Sequence, residues 1–152
     1  MCMGSILGAD HNLPMGWITT HPWVYPALEV LHILGIGLLL GSLLLFELRV
    51  WGLAQELPVR PFAGLALRVT LLGFSLAAAS GSVMLASQWS ELQGNRALVI
   101  KMVLLLIAGL NAVAFHWRGG LDKIDRTARW QTALSLGLWV LVVVCGRFIA
   151  YA

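Results

Sequence analysis

An all-α integral membrane protein is the fold class this sequence predicts: an antiparallel four-helix bundle with both termini outside. Three observations lead there. Of 152 residues, 59% are hydrophobic and 11% are charged, whereas soluble domains carry about a quarter charged residues. Four apolar stretches are each long enough to cross a hydrocarbon layer of about 30 Å at about 1.5 Å per residue. Most of the charged residues gather in short linkers between those stretches, as loops require.

Taken in order, the chain opens on "MCMGSILGADHNLPMGWITTHPW". This stretch lacks a basic n-region and a continuous apolar core, so it does not read as a signal peptide. Residues 1–22 are expected to form a surface segment ending at Pro22. A four-helix transmembrane domain over 23–152 follows, with spans near 24–48, 62–86, 98–117 and 129–150. The linkers "RVWGLAQELPVRP", "SQWSELQGNR" and "RGGLDKIDRTAR" are short enough to force consecutive helices antiparallel. In the second span, Gly73, Ala77 and Gly81 recur every four residues, with Ser75, Ala78 and Ser82 close by. That spacing lets helix backbones approach closely, or leaves room for a flat cofactor. The seven Trp suit membrane interfaces. Cys2 and Cys145 form no disulfide framework.

Orientation follows from Lys and Arg. Arg49, Arg60, Arg68, Arg118, Lys123, Arg126 and Arg129 fall at one end of the spans; Arg96, Lys101 and Arg147 fall at the other. The richer end is expected to face the cytoplasm. Both termini are then expected outside, on the periplasmic side if the membrane is a bacterial inner membrane.

Ionisable residues at membrane depth are expensive, so each is a candidate for function. His32 lies about seven residues into the first span, roughly 10 Å deep. Gly35, Ser42, Phe46 and Arg49 share its side of the helix. It is the candidate axial ligand of a b-type haem. Glu29, one turn earlier, is placed to orient the imidazole as ligand-supporting carboxylates do. The alternative is a buried neutral histidine held by a hydroxyl or a carbonyl. Lys101 and Arg147 enter at similar depth from the third and fourth spans, where haem propionates need cations. His116 closes the third span, on the order of 16 Å from His32 in depth. Two axial nitrogens on one iron are only about 4 Å apart, so His116 marks a separate second haem site or an ordinary interfacial histidine. Asn111 is expected to bond between helices, and Arg49 to pair with Glu47 or with another helix. Met84, Met102 and Cys145 also lie toward the His32 end.

The stretches "WVYPALEVLHILGIGLLLGSLLLFELRVWG", "GNRALVIKMVLLLIAGLNAVAFH" and "GRFIAY" resemble a family of small four-span bacterial membrane proteins of uncharacterised function. The resemblance spans most of residues 23–151. It rests on Trp23, Pro26, Glu29, His32, Gly41, Arg49, Lys101, Asn111, His116, Gly146, Arg147 and Tyr151. More distantly, the first and third spans are similar to the copper-resistance D family and to the haem-containing, oxygen-independent protoporphyrinogen oxidases. In the oxidases a His early in the first span, an Arg near its end and a Lys early in the third correspond to His32, Arg49 and Lys101. "VWG" follows Arg49 here, where those oxidases often carry Tyr-His. The resemblance therefore implies a haem site at His32 and does not name a reaction.

Three functions are compatible with these residues. One is a membrane b-type haem protein that transfers electrons to or from quinone or another membrane redox subunit, alone or as part of a respiratory complex, with one haem, or two if His116 serves a second. Another is a non-catalytic accessory subunit of a larger membrane complex. The third is a copper- or porphyrin-related membrane protein. No Ser–His–Asp, CxxC, phosphate-loop or paired-carboxylate pattern is present, so hydrolase and kinase chemistry and nucleic-acid binding are not expected.

Overall fold

The computed structural model describes residues 21–53, 55–119 and 125–149. Residues 1–20 of the expected surface segment, together with Lys123 and Tyr151, lie outside them. Among the described residues, four long helices carry the fold: α1 (Val24–Trp51), α2 (Val59–Ser87), α4 (Arg96–Trp117) and α5 (Arg126–Phe148). A single turn, α3 (Trp89–Leu92), sits in the linker between α2 and α4; it is absent from the sequence reading. The four long helices are each long and apolar enough to cross a membrane, the build of a multi-pass membrane protein.

The helix ends explain where the expected spans shift. α1 continues to Trp51 because Glu47 and Val50 are buried inside the bundle, so polarity alone does not end it. Gly52, at φ 107°, does. Its left-handed backbone, open to glycine without steric cost, lets the Leu53 N–H donate back to the Leu48 carbonyl at 3.0 Å. α2 starts at Val59, three residues earlier than expected, after Pro58 with φ −64°, a value suited to helix entry. Asn95 starts α4: its Oδ1 accepts from the N–H groups of Ala97 at 2.9 Å and Leu98 at 3.3 Å. Asp125 starts α5 by accepting from the Ala128 N–H at 2.8 Å. Both are side-chain N-caps of the preferred residue types.

α2 packs along α1, α1 along α5, and α5 along α4. The α1–α2 contact is backbone on backbone. A Cβ on Gly35 would lie 2.6 Å from the Ala77 nitrogen, and one on Gly73 would lie 2.6 Å from the Leu39 nitrogen. The small residues at 73 and 77 therefore serve close packing. The hydroxyls of Ser42 and Thr70 meet 2.8 Å apart further along the same seam.

Polar and aromatic contacts set the other pairings. The Trp51 indole N–H donates to the Thr132 hydroxyl at 3.0 Å, joining α1 to α5. Asn111 donates to the Gln131 carbonyl at 3.1 Å, joining α4 to α5, the interhelical role expected of it. Phe46 and Phe115 meet edge to face between α1 and α4, and Phe74 and Trp139 do so between α2 and α5. The buried positions are otherwise mostly small, Ala63, Ala66, Ala77, Ala108 and Ala128 among them. Large apolar side chains such as Leu34, Leu45, Leu72, Leu106 and Leu110 are exposed on the outside, the inverse of a water-soluble core and suited to lipid.

Two hydrogen bonds fix which helix ends lie together. The Tyr25 hydroxyl donates to Gln88 at 3.4 Å, and Asn95 donates to the Ile149 carbonyl at 3.2 Å. The starts of α1 and α4 thus share one end of the bundle with the finishes of α2 and α5. This is the His32 end; the Arg49 end is opposite.

Candidate functional site

His32 sits in the third turn of α1 and reaches across to α2. Its Nδ1 lies 2.8 Å from the Ala77 carbonyl oxygen and 3.2 Å from the Ser80 hydroxyl. A carbonyl can only accept, so Nδ1 carries the hydrogen and Nε2 holds the lone pair. Ser80 is itself anchored, donating to the Leu76 carbonyl at 2.7 Å. The ring can reach Ala77 because residue 81, one turn on, is glycine. A Cβ there would stand 2.9 Å from His32 Cε1. Sequence alone implied glycine as packing or as space for a cofactor; at Gly81 what occupies the space is the histidine ring.

The bonding at Nδ1 is the hydroxyl-and-carbonyl support weighed above, and Nε2 makes no hydrogen bond among the described residues. Glu29 does not supply that support. It is exposed, and the Ala77 carbonyl from the neighbouring helix holds the ring nitrogen instead.

Lys101 comes to the same end of the bundle from α4. Its Nζ lies 3.4 Å from where a Cβ on Gly146 would be, so the absence of a side chain on α5 accommodates the ammonium. Lys101 is half-buried and within electrostatic reach of His32 and of Cys145. Arg147 follows Gly146 in the last turn of α5 and is exposed. Four of the expected residues, Glu29, His32, Lys101 and Arg147, therefore share one end of the fold. Met84 is half-buried and Met102 exposed.

His116 and Arg49 stand elsewhere. His116 lies in the last turn of α4, exposed, with Nδ1 bonded to the Ala112 carbonyl at 2.8 Å within its own helix. It is at the opposite end of the bundle from His32. Arg49 donates from Nε to the Leu57 carbonyl at 2.9 Å and from Nη2 to the Gln55 carbonyl at 3.2 Å. It clamps the α1–α2 linker, and it pairs with neither Glu47 nor another helix.

Among the described residues, no group of three or more His, Cys, Asp or Glu side chains could hold a metal ion. The donor available at the His32 site is one imidazole nitrogen. That suits a metal arriving with most of its own ligands, as the iron of a porphyrin does, and the half-buried cation beside it suits an anionic substituent.

Sequence reasoning missed Ser80, the Ala77 carbonyl and the burial of Glu47. A main-chain carbonyl leaves no mark in a sequence, and Ser80 was one of several small residues of α2. The described fold thus has four helices long and apolar enough to cross a membrane, with a supported histidine near one end. Compared with known proteins, the chain matches no family model, no curated protein and no solved structure.

Proposed function

We propose that this protein is a membrane-embedded b-type haem protein that transfers electrons, with His32 as an axial ligand. The observation that carries the reading is the hydrogen bond from His32 Nδ1 to the Ala77 carbonyl, 2.8 Å long. Haem-ligating and other metal-ligating histidines use one ring nitrogen this way, which sets the tautomer and presents the other nitrogen. Lys101, half-buried beside the site, would hold a propionate, and Arg147 at the same end would hold a second. The resemblance of His32 and Lys101 to positions of the haem-containing oxidases is in keeping with this reading; Arg49 clamps the linker at the opposite end of α1 and stands apart from the site.

When bound, haem supplies one-electron chemistry whose potential depends on the axial ligand and on the surrounding dielectric. The residues of this chain hold and orient it, and the apolar exterior keeps water away. Quinone or a neighbouring redox subunit in a bacterial inner membrane is the proposed electron partner. The Arg-rich Arg49 end is proposed to face the cytoplasm.

The test is an absorption spectrum with a pyridine haemochrome assay, on protein expressed with ample haem. Wild type should show a Soret band. His32→Ala should lose most of it while still inserting, and free imidazole should restore part of it, which a purely structural role for His32 would not produce. A wild-type protein without a Soret band overturns the haem reading in favour of an accessory subunit.

A further inference from the structure

Glu47 is the residue that the site at His32 leaves unexplained. Its exposure is 0%, and neither carboxyl oxygen has a hydrogen-bond partner. It lies one turn before Trp51 on α1, and the Trp51 indole is bonded to Thr132 of α5. Ser135, one turn further along α5, faces Glu47, yet no hydrogen bond between them is complete.

The groups around it offer no compensation for a negative charge. On α1 itself, Arg49 spends its guanidinium on the carbonyls of Gln55 and Leu57. On α5, Arg126 and Arg129 are exposed in the first turns, and Thr132 and Ser135 carry only hydroxyls. On α4, Phe115 packs on Phe46, and His116 beyond it is exposed and bonded to Ala112. On α2, the buried residues toward this end are Ala63 and Ala66, while Arg60 and Arg68 are exposed.

An ionised carboxylate sealed in such a place is an uncompensated charge in a low dielectric, the costliest state available to it. A protonated carboxyl avoids that cost. It needs one acceptor for its O–H, and the Ser135 hydroxyl is chemically able to accept.

We propose that Glu47 is a proton-binding site: its carboxyl carries a proton between α1 and α5 and exchanges it with water at the Arg49 end of the bundle. The end of α1 is about 6 Å away along the helix, and the way out passes the polar groups of Trp51 and Thr132. On release, the O–H electron pair stays on the carboxylate oxygen and the proton passes to water; uptake reverses both. The inference stands apart from whatever occupies the His32 site.

Infrared spectroscopy of the full chain in lipid bilayers tests it. The other described carboxyl residues, Glu29, Glu56, Glu91 and Asp125, are exposed, so Glu47 is the sealed carboxyl among the described residues. Wild type should therefore show the C=O stretch of a protonated carboxyl. The band should disappear in Glu47→Gln and should shift to lower frequency when the film is exchanged into heavy water. If Glu47→Gln does not fold, Glu47→Asp together with carbon-13 glutamate labelling assigns the band instead. Folded wild type without the band overturns the proposal, because the carboxyl is then ionised. A band that does not move in heavy water also overturns it, because the acid is then sealed and exchanges nothing.

Discussion

Gly81 and His32 form a pair in which the absence of one side chain positions the other. Adding a methyl at 81 places a carbon 2.9 Å from the imidazole, closer than carbon atoms pack. Gly81→Ala should push the ring off the Ala77 carbonyl. The expected result is a weakened or shifted Soret band in a protein that still inserts, read by absorption spectroscopy beside wild type. Asn95 and Asp125 make a plainer residue-scale case. Each satisfies N–H groups that the first turn of a helix leaves open, and Asp125→Ala should cost about 1 kcal/mol, measured by unfolding in mixed detergent. His32 itself was legible in the sequence because an ionisable group in an apolar run is conspicuous. Its support was not, because the Ala77 carbonyl belongs to the backbone and its alignment with α1 is a product of packing. Arg49 shows the opposite failure. Its charge invited pairing with Glu47 or another helix, while the nearest unsatisfied carbonyls, those of Gln55 and Leu57, lay in its own linker.

Between elements, the α1–α2 contact is where this fold is least tolerant of change. Gly35 and Gly73 each stand where a Cβ would be 2.6 Å from main-chain atoms of the other helix, and a backbone atom cannot swing aside as a side chain can. Gly35→Ala or Gly73→Ala should force the helices apart at a cost of about 1–3 kcal/mol or more. Gly41→Ala, with nothing within 4 Å, should be neutral or slightly stabilising, since alanine is the better helix former. Detergent unfolding of the three variants side by side checks this; equal effects at 35 and 41 would contradict the packing described here. The spacing of Gly73, Ala77 and Gly81 announced a close approach in advance. It did not identify Gly35 as the partner, because α1 holds two other glycines, at 37 and 41, and only the crossing point selects among them. The helix limits were legible to within about three residues. α3 was not, since one turn carries no periodicity to read.

At the scale of the whole molecule, the four spans follow from composition, and the four long apolar helices of the described residues agree with them. Orientation rests on charge. With both termini outside, an alkaline phosphatase fusion at Ala152 should be active and one at Lys123 inactive; the reverse pattern inverts the assignment. Which helices would touch was not legible. Short linkers imply that neighbours in sequence pair, as α1 with α2 and α4 with α5 do, but the bridge between the two pairs is made by α1 and α5. That bridge depends on Trp51 and Thr132, which are ordinary interfacial residues when read singly. Trp51→Phe should loosen it by about 0.6–1 kcal/mol, the usual worth of a hydrogen bond between membrane helices, with the α1–α2 pair left intact.

The same bridge sets a timetable for synthesis. The glycine face of α1 finds its partner as soon as the first hairpin has left the ribosome. The opposite face waits for Thr132, 81 positions after Trp51. Throughout that delay the Glu47 side of α1 lies open to lipid or to the insertion machinery, protected by nothing of its own. A chain stalled before Arg126 is thus a half-built product with a polar seam exposed, the kind of surface that membrane proteases and chaperones recognise. Among the described helices, α5 is the one that completes α1.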